Sequence, residues 1–551
     1  MLLKLFDLPA AREYYRIGAW TDETLYGALT RHAQARPDGH ALRDARARLT
    51  WRELKERVDA CAQSLHEAGL RAGDRVAVWL PSRAEGVIVL LACSRNGYVC
   101  CPSLHQNYTV AEIGLLLERA RARALFMQPG YGADARTADV VARALAISGL
   151  RRIYAVGDAD ERASPFPSPA GDGGQRCSTA PASDPDKIVY LAFTSGTTGT
   201  PKGVMHSDNT LLANGRAMVR DWNHDHRTVL LSLSPLSHHI ATVAIEQQLA
   251  AGFELVVNDP PEGMRPVDWI QHAGATYVMG VPTHAIDILA EMKRRGLSNL
   301  GAVRLFYMAG APIPREVAQT FLSMGITPQN IYGMTENGSH QYTRPDDDEV
   351  TIVETCGRPA AGFECAIFDA ENADKRLPAG HVGEIATRGA LLTLGYYDNQ
   401  AATEDSFNRD GWFLSGDLGM LDERGCLRFV GRKKDLIIRG GHNIHPARIE
   451  DLAHRHRAVL KAAAFGVPDE RLGERVCLSV VPRPGESVQA QELLAHLHEF
   501  GLSKYDMPEY FIELDAFPLT ASGKILKREL IEWVKGGRIA PQSVRWTEPS
   551  A

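Results

Sequence analysis

The stretch Leu191-Ala-Phe-Thr-Ser-Gly-Thr-Thr-Gly-Thr-Pro-Lys-Gly-Val204 sets the reading of the whole chain. An apolar run with a buried-strand pattern leads into five hydroxyl side chains, three glycines and one lysine. Glycines let backbone N–H groups approach an anion closely. Thr194, Ser195, Thr197, Thr198 and Thr200 add hydroxyl donors, and Lys202 adds a positive charge. The order is that of a phosphate cradle and points to triphosphate chemistry. It is not the Gly-x4-Gly-Lys-Ser/Thr spacing of the Walker loop, because Lys202 follows Gly199 by three residues with Pro201 directly before it. A helix-capping kinase or GTPase loop is therefore disfavoured. A plain Ser/Thr/Gly turn is the competing explanation, and it does not account for this order directly after a buried strand.

Length and charge bound the class. A chain of 551 residues exceeds the usual size of a single hydrophobic core, so more than one domain is expected. A hydrophobic fraction of 44%, a charged fraction of 23% and a net charge of −6 leave no basic excess for nucleic acid or an anionic membrane. No apolar run reaches bilayer length, and the N-terminal Met-Leu-Leu-Lys-Leu-Phe-Asp meets its first charges too early for a signal peptide. The expected setting is the cytoplasm, without membrane insertion. The nine cysteines are scattered without CxxC spacing, which argues against disulfides and a zinc site. Cys100 and Cys101 read as buried small apolar residues.

Helical and strand patterns alternate along the first two thirds of the chain. Thr50 ahead of Trp51-Arg-Glu resembles a capped helix start, and Arg75–Leu80 a buried strand. Helix Glu85–Arg95 and strand Tyr98–Cys101 follow, while Gly157–Asp186 reads as a surface excursion. Further strands are expected at Val229, Glu254, Ala275 and Leu305. The fold class is α/β with parallel strands. Between Thr351 and Leu427 short alternating strands with Gly-rich turns suggest a barrel-like β subdomain. A domain boundary is expected in Gly431-Arg-Lys-Lys-Asp435, followed by a compact α+β module with helices at Pro446–His456 and Ala490–Phe500 and strands at Lys461–Val467 and Val476–Val481.

Five more segments carry chemistry: Pro235-Leu-Ser-His-His239, Ala309-Gly-Ala-Pro312, Tyr332-Gly-Met-Thr-Glu336, Ser415-Gly-Asp417 with Gly431-Arg-Lys-Lys-Asp435, and Thr520-Ala-Ser-Gly-Lys-Ile525. In this order the chain resembles the adenylate-forming superfamily, in particular acyl-CoA synthetases close to alicyclic and aryl-acid CoA ligases. The resemblance runs from about Thr21 to Trp533. It implies a large N-terminal AMP-binding domain (1–431), a hinge (432–434) and a small mobile α+β C-terminal domain (435–551). It also implies ATP, Mg²⁺ and coenzyme A as cofactor and co-substrates, with a small-molecule carboxylic acid activated as acyl-AMP. No nucleic-acid partner is expected, and a homodimer is a candidate assembly.

The resemblance assigns roles residue by residue. Thr194, Ser195, Gly196, Thr197, Thr198, Gly199 and Lys202 embrace the β- and γ-phosphates, Thr335 meets the α-phosphate, and Glu336 helps hold Mg²⁺. Tyr332, Gly310 and Ala311 receive adenine, and Asp417 and Arg432 the ribose, as their donor and acceptor chemistry allows. Lys524 reaches the carboxylate and phosphate when the small domain closes, and Lys434 is the hinge of its rotation. Arg439, Gly440, Gly441 and His442 line a tunnel for the pantetheine thiol. His238, His239, Met279, Met308, Gly333 and Met334 wall an apolar acyl pocket suited to a compact alicyclic, aryl or short to medium-chain acid. His442 and Arg448 stand where relatives often have glutamate, and Leu519 where arginine is usual. His239 replaces the asparagine usual in dihydroxybenzoate enzymes, which weakens a catechol substrate. Three alternatives stay open: a stand-alone enzyme loading a carrier protein, a non-catalytic nucleotide sensor, and a kinase that releases ADP.

Overall fold

The computed structural model describes residues 4–5, 7–157, 160–169, 177–194, 201–311, 313–519 and 525–546. The chain forms two compact units, Met1–Cys365 with Thr387–Phe413, and Ala366–Ala386 with Leu414–Ala551. Lys434, the expected hinge, lies within the second unit.

The first unit holds two large sheets. A seven-stranded sheet runs Ser164–Pro165, Arg152–Ala155, Ala122–Met127, Arg75–Trp79, Val99–Cys101, Ile188–Thr194 and Lys202–Ser207. All its described pairings are parallel except the last, an antiparallel hairpin. A nine-stranded sheet places Thr327–Met334, Leu305–Met308, Tyr277–Gly280, Val229–Ser232, Glu254–Val256 and His40–Arg43 side by side in parallel, with antiparallel strands at both edges. The α/β reading of the sequence is thus met. The helix Trp51–Glu67 starts on a reciprocal Thr50–Glu53 capping box, which satisfies two N-terminal amides.

Strand parity sorts the side chains into layers. Val76, Val78, Cys100, Phe126 and Tyr190 from one sheet share a core with Tyr277, Met279, Leu305 and Tyr307 from the other, packed around helices Asp208–Asp221 and His239–Ala251. Their neighbours Ala77, Trp79 and Cys101 face a second core, and Val278, Phe306 and Met308 a third. Cys100 and Cys101 are fully buried apolar fillers, and all nine cysteines are free thiols.

The segment read as barrel-like forms a four-stranded sheet, ordered Phe363–Phe368, Gly383–Gly389, Phe413–Leu421 and Leu427–Arg432. In the second unit, Val459–Asp469 and Gly473–Pro482 form a long antiparallel pair. Its sheet continues through Ile437–Arg439 and His442–Ile444 on one side and Tyr510–Glu513 and Gln542–Ser543 on the other. Helices Pro446–His454 and Ala490–Glu499 bury Ile449, Leu452, Leu493 and Leu497 against it.

Candidate active site

Three of the chemical motifs, and the Val281–Pro282 turn between them, begin at the carboxyl ends of adjacent parallel strands. Pro235–His239 follows Val229–Ser232, Val281–Pro282 follows Tyr277–Gly280, Ala309–Ala311 follows Leu305–Met308, and Thr335–Glu336 follows Thr327–Met334. Open α/β sheets bind ligands at this end, where loops diverge from strands held by a packed core.

The cradle stretch is the connection of a β-hairpin. Thr194 and Lys202 are paired in register, and the Thr194 hydroxyl donates to the Lys202 carbonyl at 3.4 Å. Ser195, Gly196, Thr197, Thr198, Gly199 and Thr200 lie outside the described residues, as does Lys524. In the second strand of the hairpin, Val204 bridges Tyr396, which brings the Tyr396 ring under the Lys202 ammonium at 4.6 Å from its centroid. The Tyr396 hydroxyl donates to Glu336 Oε1 at 3.0 Å. Burial, and secondly the Glu336 charge, push the Tyr396 phenol well up, so it stays a donor. One tyrosine therefore ties the cradle lysine to the candidate magnesium carboxylate. Nothing in the local sequence around Tyr396 announced it.

The Glu336 turn is held from three sides. The Glu336 carbonyl accepts from Thr393 N at 2.6 Å, and Asn337 Oδ1 accepts from Met334 N at 2.9 Å. His206 Nε2 donates to the Thr335 carbonyl at 2.7 Å, while its Nδ1 faces Thr210 Oγ1 at 3.1 Å. Burial lowers the His206 pKa to about 4, so the ring is neutral and Nε2–H is set by its carbonyl partner. Gly333 allows the strand to turn here, because a Cβ would overlap the Gly338 carbonyl oxygen. Tyr332 is buried, with its ring edge-on to His340 at 5.5 Å, and the exposed Gly310 and Ala311 lie at the end of the neighbouring strand.

His239 stacks on His206 at 5.4 Å, and its Nδ1 lies 3.3 Å from the Tyr190 hydroxyl. Burial, and secondly His206, hold its pKa well below the ordinary value. His238 is the N-cap residue of the same helix, its ring 4.7 Å from that of His105. Met279 faces the helix, with Gln247 Nε2 3.5 Å from its sulfur. Met308 does not belong with these residues. Strand parity turns its side chain to the opposite face, into a core with Phe306 and Phe321, so it is corrected from pocket wall to core. Met334 and Gly333 are half-buried at the strand end.

In the second unit Asp417 and Arg432 are cross-strand partners, Arg432 Nε lying 3.4 Å from Asp417 Oδ1. A buried Glu384 accepts from Gly416 N at 3.0 Å and pairs with Lys433 at 2.9 Å, another contact that sequence alone did not reveal. Lys434 sits in a single 3-10 turn, its pKa lowered by burial and then by Arg432. Gly440 and Gly441 form the two-residue turn between Ile437–Arg439 and His442–Ile444, with φ of 59° and 84°. Positive φ at both central residues is what a type I′ hairpin turn needs. Arg439 forks onto Glu509 at 2.7 and 2.9 Å, and His442 Nε2 lies 2.8 Å from Asp506.

Mg²⁺ commonly binds through one or two carboxylates plus substrate phosphates rather than in an all-protein cage. Glu336 supplies one buried hard oxygen donor of that kind. Among the described residues no group of three or more His, Cys, Asp or Glu side chains could hold a metal ion. The donor set therefore fits a phosphate-borne magnesium.

Residues 29–397 match the AMP-binding enzyme family, and residues 448–524 match the AMP-binding enzyme C-terminal domain. The chain belongs to the AMP-binding enzyme family. It is 31% identical over 519 residues to the medium-chain fatty-acid–CoA ligase of Escherichia coli K12, covering 93% of this chain and 91% of that one. It is 32% identical over 516 residues to a methyl-dioxo-octahydro-indenyl-propanoyl:CoA ligase of Mycobacterium tuberculosis H37Rv, covering 92% and 98%. The fold matches o-succinylbenzoate CoA synthetase from Bacillus subtilis in complex with its acyl-adenylate, with a TM-score of 0.79 and 25% identity over 92% of this chain and 98% of that one.

Proposed function

We propose that this protein is an ATP-dependent, AMP-forming acid–CoA ligase acting on a small, mostly apolar carboxylic acid. The observation that carries it is the Lys202–Tyr396–Glu336 contact, which joins a phosphate-cradle cation to a buried carboxylate beside Thr335. An ionised carboxylate needs no base at neutral pH. Its oxygen attacks the α-phosphorus, the bond to the bridging oxygen breaks, and pyrophosphate leaves with the electron pair. The CoA thiol then gives up its proton and its sulfur attacks the acyl carbonyl, expelling AMP.

Lys202 and the cradle hydroxyls hold the β- and γ-phosphates, and Thr335 the α-phosphate. His206 fixes the Thr335 backbone, and Asp417 with Arg432 takes the ribose. Glu336 would hold Mg²⁺, which would supply charge neutralisation on the phosphates when bound. Lys524 neutralises the approaching anions, and the C-terminal module changes orientation about Lys434 to admit CoA past Gly440–Gly441. The nine free thiols support a reducing, cytoplasmic setting.

Mass spectrometry of the nucleotide product tests this reading. AMP and pyrophosphate are expected, formed only with acid present, with an acyl-CoA when CoA is added. ADP would refute adenylation, and acyl-AMP that never reaches CoA would favour a carrier protein as acceptor. Lys524→Ala should abolish acid-dependent pyrophosphate release far more severely than thioester formation from supplied acyl-adenylate. Equal loss in both assays removes that role.

A further inference from the structure

The helix His239–Ala251 carries an acid that the reaction above does not use. Glu246 is 1% exposed, and neither of its carboxyl oxygens has a hydrogen-bond partner among the described residues. Seven residues separate it from His239, so the two share a helix face about 10 Å apart along the axis. His239 is the end of that face which stacks on His206, the ring holding the Thr335 carbonyl. Between them Thr242 meets the Tyr190 hydroxyl, as His239 does. The helix face thus runs from the adenylation turn into the interior and ends on a carboxyl group.

Its surroundings are polar in the same unfinished way. Met279, Tyr307 and Gln329 lie in one cross-strand row of the nine-stranded sheet. Gln329 Oε1 accepts from Tyr277, but its Nε2 has no partner. Gln247, next to Glu246, spends its amide N–H on Val243 and Met279 and leaves Oε1 unpaired. Tyr307 bonds Ser339 at 2.7 Å, and burial raises its phenol pKa, with a smaller upward contribution from the nearby Glu246. Glu246, Gln247 and Gln329 are all essentially inaccessible to solvent. Buried polar atoms are paired almost everywhere in folded proteins, and an apolar replacement would relieve the cost of leaving them unpaired. Burial pushes the Glu246 carboxyl well above the ordinary carboxylate range, which favours its neutral form, a hydrogen-bond donor and acceptor.

We propose that Glu246, together with the unpaired amide atoms of Gln247 and Gln329, forms a polar terminus of the acyl pocket that recognises a hydroxyl or keto oxygen at the far end of the acid substrate. This rests on the acid–CoA ligase reading and narrows its substrate class to apolar acids that carry a distal oxygen. A site built to bond such an oxygen discriminates strongly against the analogue that lacks it.

The test compares acids in pairs, heptanoate through decanoate and their terminally hydroxylated counterparts, in the coupled pyrophosphate assay with CoA. The readout is the ratio of kcat/KM between hydroxylated and plain acid in each pair. For the best pair that ratio should exceed ten in the unaltered protein, fall at least tenfold in Glu246→Leu, and stay within threefold of its original value in Glu246→Gln. A ratio unmoved by Glu246→Leu overturns the proposal while leaving the ligase reading intact, and so does a preference for the terminal amino acids, which would mark an ionised carboxylate. Pyrophosphate release with none of the acids would bring down both readings. If Glu246→Leu does not fold, difference infrared spectroscopy of the unaltered protein decides. The protonated carboxyl band should shift with 8-hydroxyoctanoate and not with octanoate, and an identical response to both overturns the proposal.

Discussion

Replacing Tyr396 by phenylalanine isolates one hydrogen bond at the centre of the site. The ring stays beneath Lys202, but Glu336 Oε1 loses a donor at 3.0 Å in a place where the glutamate is only 6% exposed. Hydrogen bonds to charged groups contribute about 1.5–3 kcal/mol, and in a buried turn bulk water does not replace the one removed. If the carboxylate must be held in place to carry magnesium, kcat/KM for acid-dependent pyrophosphate release should fall roughly ten- to hundredfold. The Mg²⁺ concentration for half-maximal rate should rise with it. Tyr396→Leu also removes the aromatic face under the ammonium, worth about 0.5–1 kcal/mol at a partly exposed site, and should lose a further two- to fivefold or so. Both variants are assayed across a Mg²⁺ titration, with thermal unfolding to show that they fold. A phenylalanine variant within twofold of the unaltered protein at every Mg²⁺ concentration would refute the tyrosine's role in positioning Glu336.

Other perturbations follow from the same geometry. Burial lowers His105, His206 and His224 to about 4 and His340 to about 3, so the unfolded chain binds more protons than the folded one between those values and about 6.5. Stability is full above about pH 6.5 and should be lost as the pH falls towards 4. His206→Gln should reduce that slope, measured by urea unfolding, and an unchanged slope would mean that ring is protonated in the fold. Gly440→Ala forces a side chain into the left-handed region at φ 59° and should cost the protein about 1 kcal/mol, read as a lower urea midpoint. Glu384→Ala releases Gly416 N and Lys433 beside the candidate ribose residues. It should raise the KM for ATP severalfold and leave the KM for the acid unchanged; equal changes in both would argue for general loosening.

Short-range chemistry was legible in the sequence, and long-range packing was not. Lys202, Thr335 and Glu336 declare themselves because glycines and hydroxyls crowd around them. Asp417 and Arg432 were paired from motifs, and the register confirms that they oppose each other. Tyr396, His206 and Glu384 act across long sequence separations, and each stands in an ordinary local context. Met279 and Met308 looked alike as apolar residues near strand ends. Register decides between them, because Met279 pairs with Tyr307 and so leaves Met308 one step out of phase. Paired glycines at 440 and 441 suggested room for a thin ligand, and the backbone shows a turn that any hairpin of this length would want.

The placement of three motifs at the tips of neighbouring parallel strands separates what this scaffold must keep from what it can change. Val278 and Phe306 are locked between layers, so exchanging them trades stability and nothing else. Residues one to three steps past the strand tips, such as Val281 and Ala311, sit on connections whose ends are anchored but whose described residues carry no sheet pairing. Diversification of this lineage, natural or in the laboratory, should therefore concentrate in those connections, and libraries confined to them should keep folding while their preferred acid drifts.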